Sequence, residues 1–138
     1  MTELFIDTSA WMAILDAKDA NHPAATAFQA EIEGNCRLVV TNYIFDELLT
    51  LVLMDLGYQR AVDVKRKLDR LQADGILDVV WVDSALADSA WSVFERFNQD
   101  KSWSFTDCVS FAVMKARAIT EAFAFDHHFD QMGFARRP

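Results

Sequence analysis

The sequence predicts an α/β fold in which a parallel sheet is covered by helices on both faces. Three observations carry that reading. Short apolar runs of strand length occur at Leu4–Ile6, Arg37–Val40, Leu77–Val82 and Ala122–Phe125. Longer stretches with helical apolar spacing lie between them, roughly Ser9–Ala17, Ala24–Glu33, Tyr43–Leu56, Gln59–Ala73, Ala85–Phe97 and Phe105–Ala116. Strands that alternate with helices assemble into a parallel sheet with both faces covered. The third observation is punctuation: the few glycines and small hydroxyl residues stand at the boundaries of these segments.

Taken in order, Leu4–Ile6 is followed by Asp7-Thr8-Ser9, a helix-start pattern. Gly34, Gly57 and Gly75 stand where the preceding helices need a left-handed residue to terminate. Thr41, Ser84 and Ser104 stand where N-caps satisfy the free amides of a first turn. The chain has four Gly and two Pro, no repeat and no linker, so its 138 residues read as one domain. In such a sheet ligands bind beyond the C-terminal strand ends, where successive connections diverge.

Composition narrows the function. About half of the residues are apolar, with eleven Phe and four Trp to fill a core. The most apolar segment, Tyr43–Leu56, carries Asp46, Glu47 and Asp55, which excludes a membrane span. Glu3 and Asp7 occupy the region where a signal peptide needs a basic end and an apolar run, so a cytoplasmic location is expected. Cys36 and Cys108 lack metal-type spacing and read as reduced thiols. The net charge of −8 argues against broad, non-specific nucleic-acid binding, which depends on phosphate neutralisation. A local basic face nevertheless survives: Arg60, Lys65, Arg66, Lys67 and Arg70 are five of the thirteen basic residues and fall within eleven positions.

The acids are the informative residues. Asp7 follows the first strand and suits either an N-cap or a group projecting into the crevice. Asp126 repeats the arrangement after Ala122–Phe125, and parallel strands bring both ends to one edge of the sheet. Asp107 lies in Ser104-Phe105-Thr106-Asp107, a capping-box pattern that also directs a carboxylate off the helix end. Asp46 and Glu47 open a helix, Tyr43–Met54, that is apolar almost all round, where an unpaired carboxylate is unfavourable. Periodicity does not choose between these two.

Two carboxylates near 4 Å repel by roughly 1 kcal/mol in water and about 4 kcal/mol near a protein surface. No Lys or Arg is close in sequence to Asp7, Glu47 or Asp126, and only Lys101 is near Asp107. Converging acids without cationic partners require protonation or a bound cation. All-carboxylate ligation, without His or Cys, suits hard ions such as Mg²⁺ or Mn²⁺. Those ions bind phosphate oxygens and acidify water, so the residues point to metal-dependent phosphodiester chemistry.

Four elements then occur in order: Ile6-Asp7-Thr8-Ser9-Ala10, the acid of Asn42-Tyr43-Ile44-Phe45-Asp46-Glu47-Leu48, Ser104-Phe105-Thr106-Asp107-Cys108, and Phe125-Asp126-His127-His128-Phe129-Asp130-Gln131-Met132-Gly133-Phe134. Together they resemble the PIN-domain family, especially VapC-type toxins of type II toxin–antitoxin pairs. The resemblance spans Ile6 to Phe134, so residues 1–138 read as a single PIN-like domain. It implies a five-stranded parallel sheet and Mg²⁺- or Mn²⁺-dependent endoribonuclease activity. It assigns Asp7, Glu47, Asp107 and Asp126 to the catalytic metal site, and prefers Glu47 to Asp46 because Leu49 completes a Glu-x-Leu-like helix start. Thr8, Thr106 and Asp130 match or neighbour supporting positions. The implied partners are an RNA substrate, a cognate antitoxin protein and a second copy of the chain in a homodimer, with no membrane. Because the chain continues only to Pro138 after Gly133-Phe134, the fifth strand has to be short.

Other residues offer chemistry too. His127 and His128 invite a metal reading, but adjacent side chains point apart and cannot both hold one ion. Cys108 reads as a small buried residue rather than a nucleophile. Arg60–Arg70 reads as a solvated face before an RNA contact, and Trp103 as packing before a base-stacking platform. Two alternative functions share some features: an aspartyl-phosphate hydrolase or receiver-like domain, and a non-catalytic PIN-like binding module. The first wants a second Asp beside Asp7; the second does not need the complete acid set.

Overall fold

The computed structural model describes the chain from Met1 to Pro138. It contains β1 (Thr2–Ile6), α1 (Thr8–Leu15), α2 (His22–Ile32), β2 (Cys36–Thr41), α3 (Asn42–Leu56), α4 (Tyr58–Ala73), β3 (Leu77–Val80), α5 (Ser84–Phe97), α6 (Phe105–Ala116), β4 (Glu121–Phe123), α7 (His128–Gln131) and β5 (Ala135–Arg137). The strands form one parallel sheet in the order β3-β2-β1-β4-β5. The chain thus steps outward from β1 to β2 and β3, then returns to β4 on the other side of β1. Parallel crossovers are right-handed, so this reversal puts α5 and α6 on the face opposite α1 to α4. It also opens a crevice between the C-terminal ends of β1 and β4.

The central strand shows why the sheet is buried. Leu4, Phe5 and Ile6 are consecutive and all buried, as expected of a strand covered on both faces. Phe129 of α7 reaches the core and packs against Phe5 and, edge-to-face at 5.2 Å between centroids, against Phe111 of α6. Phe129 is thus the one buried residue of this four-residue helix and its anchor in the core. Phe129→Ala is expected to destabilise the protein by about 3–5 kcal/mol, measured as a lower urea midpoint at unchanged slope.

Several boundaries move for physical reasons. β3 ends at Val80 rather than Val82, because the Val82 amide donates to Asn42 Oδ1 at 2.7 Å and Trp81 turns out to solvent. The N-cap of α5 is Asp83, not Ser84: its carboxylate accepts from the Leu86 amide at 2.8 Å. Thr41 and Ser104 do cap α3 and α6. Gly57 has φ = 96° and joins α3 directly to α4, a turn that a side chain would strain. The fifth strand has three residues. α3 is not apolar all round in its packing: Ile44, Leu48 and Val52 are buried, but Leu53 and Met54 face solvent. No helix is long and apolar enough to cross a membrane.

Candidate active site

Asp7 directly follows β1 and caps α1. Its amide continues the ladder by donating to the Phe123 carbonyl at 3.0 Å, while its carboxylate accepts from the Ser9 amide at 3.2 Å and the Ser9 hydroxyl at 2.6 Å. Ser9 Oγ in turn accepts from the Phe125 amide at 3.0 Å. One serine thus ties the acid after β1 to the segment after β4, and its claim on the Phe125 amide accounts for β4 stopping at Phe123 before Asp126 is reached.

Asp107 is the third residue of α6, in a complete capping box: its amide donates to Ser104 Oγ at 3.0 Å and its Oδ2 accepts from the Ser104 amide at 3.1 Å. The same Oδ2 lies 2.7 Å from Nδ1 of His128. Capping and convergence are therefore compatible, since the fixed rotamer that closes the cap also aims the carboxylate at α7. Asp126 Oδ1 accepts from the His128 amide at 3.2 Å and lies 3.8 Å from the His128 ring nitrogen. One ligand atom each from Asp107, Asp126 and His128 lie within 4.8 Å of one another, a spacing that could hold a metal ion.

Electrostatics ties Asp7 to this group. Burial, followed by the negative charge of Asp126, pushes its carboxyl from 3.8 up to about 7; the Ser9 hydroxyl pulls the other way and Asp107 adds to the rise. Burial also raises Asp107, against the Ser104 amide and His128, which favour its charged form. No lysine relieves the repulsion: Lys101, near Asp107 in sequence, pairs with Asp100 at 3.0 Å instead. A cation among these carboxylates would. The oxygen-rich donor set with a single imidazole suits Mg²⁺ or Mn²⁺. Beside Asp7, Thr8 Oγ1 is buried with no hydrogen-bond partner, a second polar group whose needs the protein alone does not meet.

The remaining candidates lie outside this three-residue group. Glu47 on α3 is half-buried and stands outside the three-residue cluster, whereas Asp46 is exposed. Thr106 is half-buried, its carbonyl accepting from Ser110 Oγ at 3.1 Å. Asp130 is exposed and turned away, paired with Arg136 at 2.8 Å, which holds its carboxyl below the ordinary value. Cys108 is buried and its thiol pushed up to about 11, by burial and then by the Asp107 charge, so it is no nucleophile.

Sequence reasoning missed His128 and Ser9. The two adjacent rings do point apart: His127 is exposed and faces Asp130 at 3.7 Å, while His128 enters the cluster. The available signal was Asp126-x-His128 at a helix start, where an Asp that accepts from the amide two residues on also brings that residue's ring close.

Comparison with known proteins agrees with the geometry. The PIN-domain family model matches residues 4–135. The 23S rRNA-specific endonuclease VapC20 of Mycobacterium tuberculosis is 31% identical over 131 residues, covering 95% of both chains. A VapC ribonuclease of Archaeoglobus fulgidus is 32% identical over 107 residues, 76% of this chain and 65% of that protein. The crystal structure of M. tuberculosis VapC20, a sarcin–ricin-loop-cleaving toxin, superimposes with a TM-score of 0.86 at 32% identity over 98% of this chain and 99% of that one. With the same parallel sheet and near-complete coverage at this identity, the chain belongs to the PIN-domain family, among its VapC ribonucleases.

Proposed function

We propose that this VapC-family ribonuclease is a Mg²⁺- or Mn²⁺-dependent endoribonuclease and the toxin of a VapBC-type pair. The observation that supports it most is the convergence of Asp107, Asp126 and His128 beside a buried Asp7 whose charge the site opposes. A divalent cation held by Asp7, Asp107 and Asp126, with Glu47 of α3 as a fourth carboxylate, would supply Lewis-acid chemistry: neutralising phosphoryl charge and acidifying water.

The chain's own residues do the positioning. Ser9 and Ser104 lock the Asp7 and Asp107 carboxylates in single orientations. His128 contacts two of the acids, its ring at Asp107 Oδ2 and its amide donating to Asp126 Oδ1. Burial of Asp7 and Asp107 keeps competing water from the carboxylates, which strengthens every charge interaction at the phosphate. With water as nucleophile rather than the ribose 2′-hydroxyl, products carry no 2′,3′-cyclic phosphate.

The substrate class follows the relatives: 23S rRNA is the first target to offer. A cognate antitoxin carrying a cationic segment would find complementary charge in the acidic pocket. The same reading makes residues 1–138 one cytoplasmic domain that works as a homodimer. Purified protein incubated with 23S rRNA is expected to cut it with Mg²⁺ or Mn²⁺ and to leave it intact in EDTA. Equal cleavage in EDTA would refute metal dependence.

A further inference from the structure

A notch of about 830 Å³ lies between the end of α5, the loop 98–103, the flank of α6 and α7. Arg96, Lys101 and Lys115 line it against one carboxylate, Asp100. In a chain of net charge −8 this is unusual, because most other cations off the α4 face are committed elsewhere. Arg117 is held by Glu3 and Asp78, Arg136 by Asp130, and Arg137 by Glu121. Arg96 instead lies over the ring of Phe97, 5.4 Å from its centroid, and Phe97 is itself an exposed aromatic. Lys101 meets only Asp100, which is 79% exposed.

The walls of the notch are fixed in place. The Trp103 indole is buried and donates to Gln131 Oε1 at 2.9 Å. The Asn98 side chain clamps the loop, accepting from the Trp103 amide and donating to its carbonyl, both at 2.9 Å. These anchors also join the notch to the acidic centre. Gln131 lies one helical turn beyond His128, about 4.5 Å of rise, and Trp103 directly precedes Ser104, which fixes Asp107. Lys115 stands eight residues beyond Asp107 on α6, about 12 Å of rise, so an RNA with its scissile phosphate at the acids reaches the notch by extending along this helix. Such a polymer meets repelling carboxylates at the centre, so its binding needs cations close by.

We infer that this notch is a binding subsite for the RNA backbone beside the scissile bond, with Arg96, Lys101 and Lys115 neutralising phosphates and Phe97 offering a ring to an unpaired base. The inference rests on the ribonuclease reading for its ligand. Its test is binding, which is separable from cleavage. Full-length Asp107→Asn protein is titrated into a fluorescein-labelled, mixed-sequence 20-nucleotide single-stranded RNA, followed by anisotropy from about 50 to 200 mM KCl. Adding Arg96→Gln, Lys101→Gln and Lys115→Gln is expected to weaken binding about tenfold and to flatten the log K against log salt slope by about 2. A charge-matched control, Arg66→Gln, Lys67→Gln and Arg70→Gln on α4, is expected to stay within about twofold. Unchanged binding in the notch variant, or an equal loss in the control, would overturn the subsite. If the notch variant loses binding while wild-type protein cuts no RNA with Mg²⁺ or Mn²⁺, the subsite stands and the nuclease reading fails.

Discussion

Asp7→Asn and Asp107→Asn are each expected to lower Mg²⁺-dependent RNA cleavage by about a thousandfold while leaving the circular dichroism spectrum unchanged. The size follows from what each carboxylate holds. Asp7 is buried and presents charge that only a cation can use, whereas asparagine keeps one acceptor for Ser9 and loses that charge. Asp107 contributes the oxygen nearest His128, and asparagine can still accept from the Ser104 amide to close the cap. The fold therefore survives both changes. On α3, Glu47→Gln is expected to reduce cleavage and Asp46→Asn to leave it near wild type, since only Glu47 is turned partly inward. Cleavage assays on purified variants decide each case, and undiminished activity in both Asp7→Asn and Asp107→Asn would overturn the site.

The second large effect is on stability without metal. Asp7 titrates near 7 in the folded protein against an ordinary 3.8. Between those values the folded state holds a proton that the unfolded chain has lost, so stability falls as pH rises through this window and levels off above it. Three units correspond to a few kcal/mol, at about 1.4 kcal/mol per unit. The raised carboxyl of Asp107 adds to the same trend. In EDTA, the urea midpoint of the wild type is expected to drop between about pH 5 and pH 8. Asp7→Asn removes most of that drop and is the more stable protein at pH 8. Millimolar Mn²⁺ at pH 8 is expected to restore the wild type and to affect Asp7→Asn little. A wild-type midpoint that is flat across this range would show that the acids do not oppose one another as the geometry requires.

Function and stability thus pull in opposite directions at one residue. Burial that makes Asp7 useful to a cation also makes it unfavourable without one. The surrounding structure sustains the strain through a few specific contacts: Ser9 between the two strand ends, the capping box on α6, and Phe129 packed beneath α7.

Much of this was legible from residue order. Apolar runs separated by helical spacing made the parallel α/β sheet readable, because periodicity is a local consequence of which faces are buried. Asp7, Asp107 and Asp126 stood out for the same reason, each at a strand end or helix start. What periodicity could not reveal was direction. Asp46 and Glu47 both have apolar neighbours at helical spacing, and only the packing of α3 leaves one exposed and the other half-buried. Asp130 shares a short helix with His128, but Arg136 on β5 draws it to the opposite side.

Residue order carries the fold class, the edge of the sheet where the acids stand, and the class of chemistry that clustered carboxylates can serve. Folding in three dimensions is what selects His128 over His127 to join the acids, ties strand ends 116 residues apart through Ser9, and gathers Arg96, Lys101 and Lys115 at one notch. The reason is physical. Secondary structure is written in short-range spacing, whereas a site is a set of long-range approaches made by a sheet order that reverses between β3 and β4.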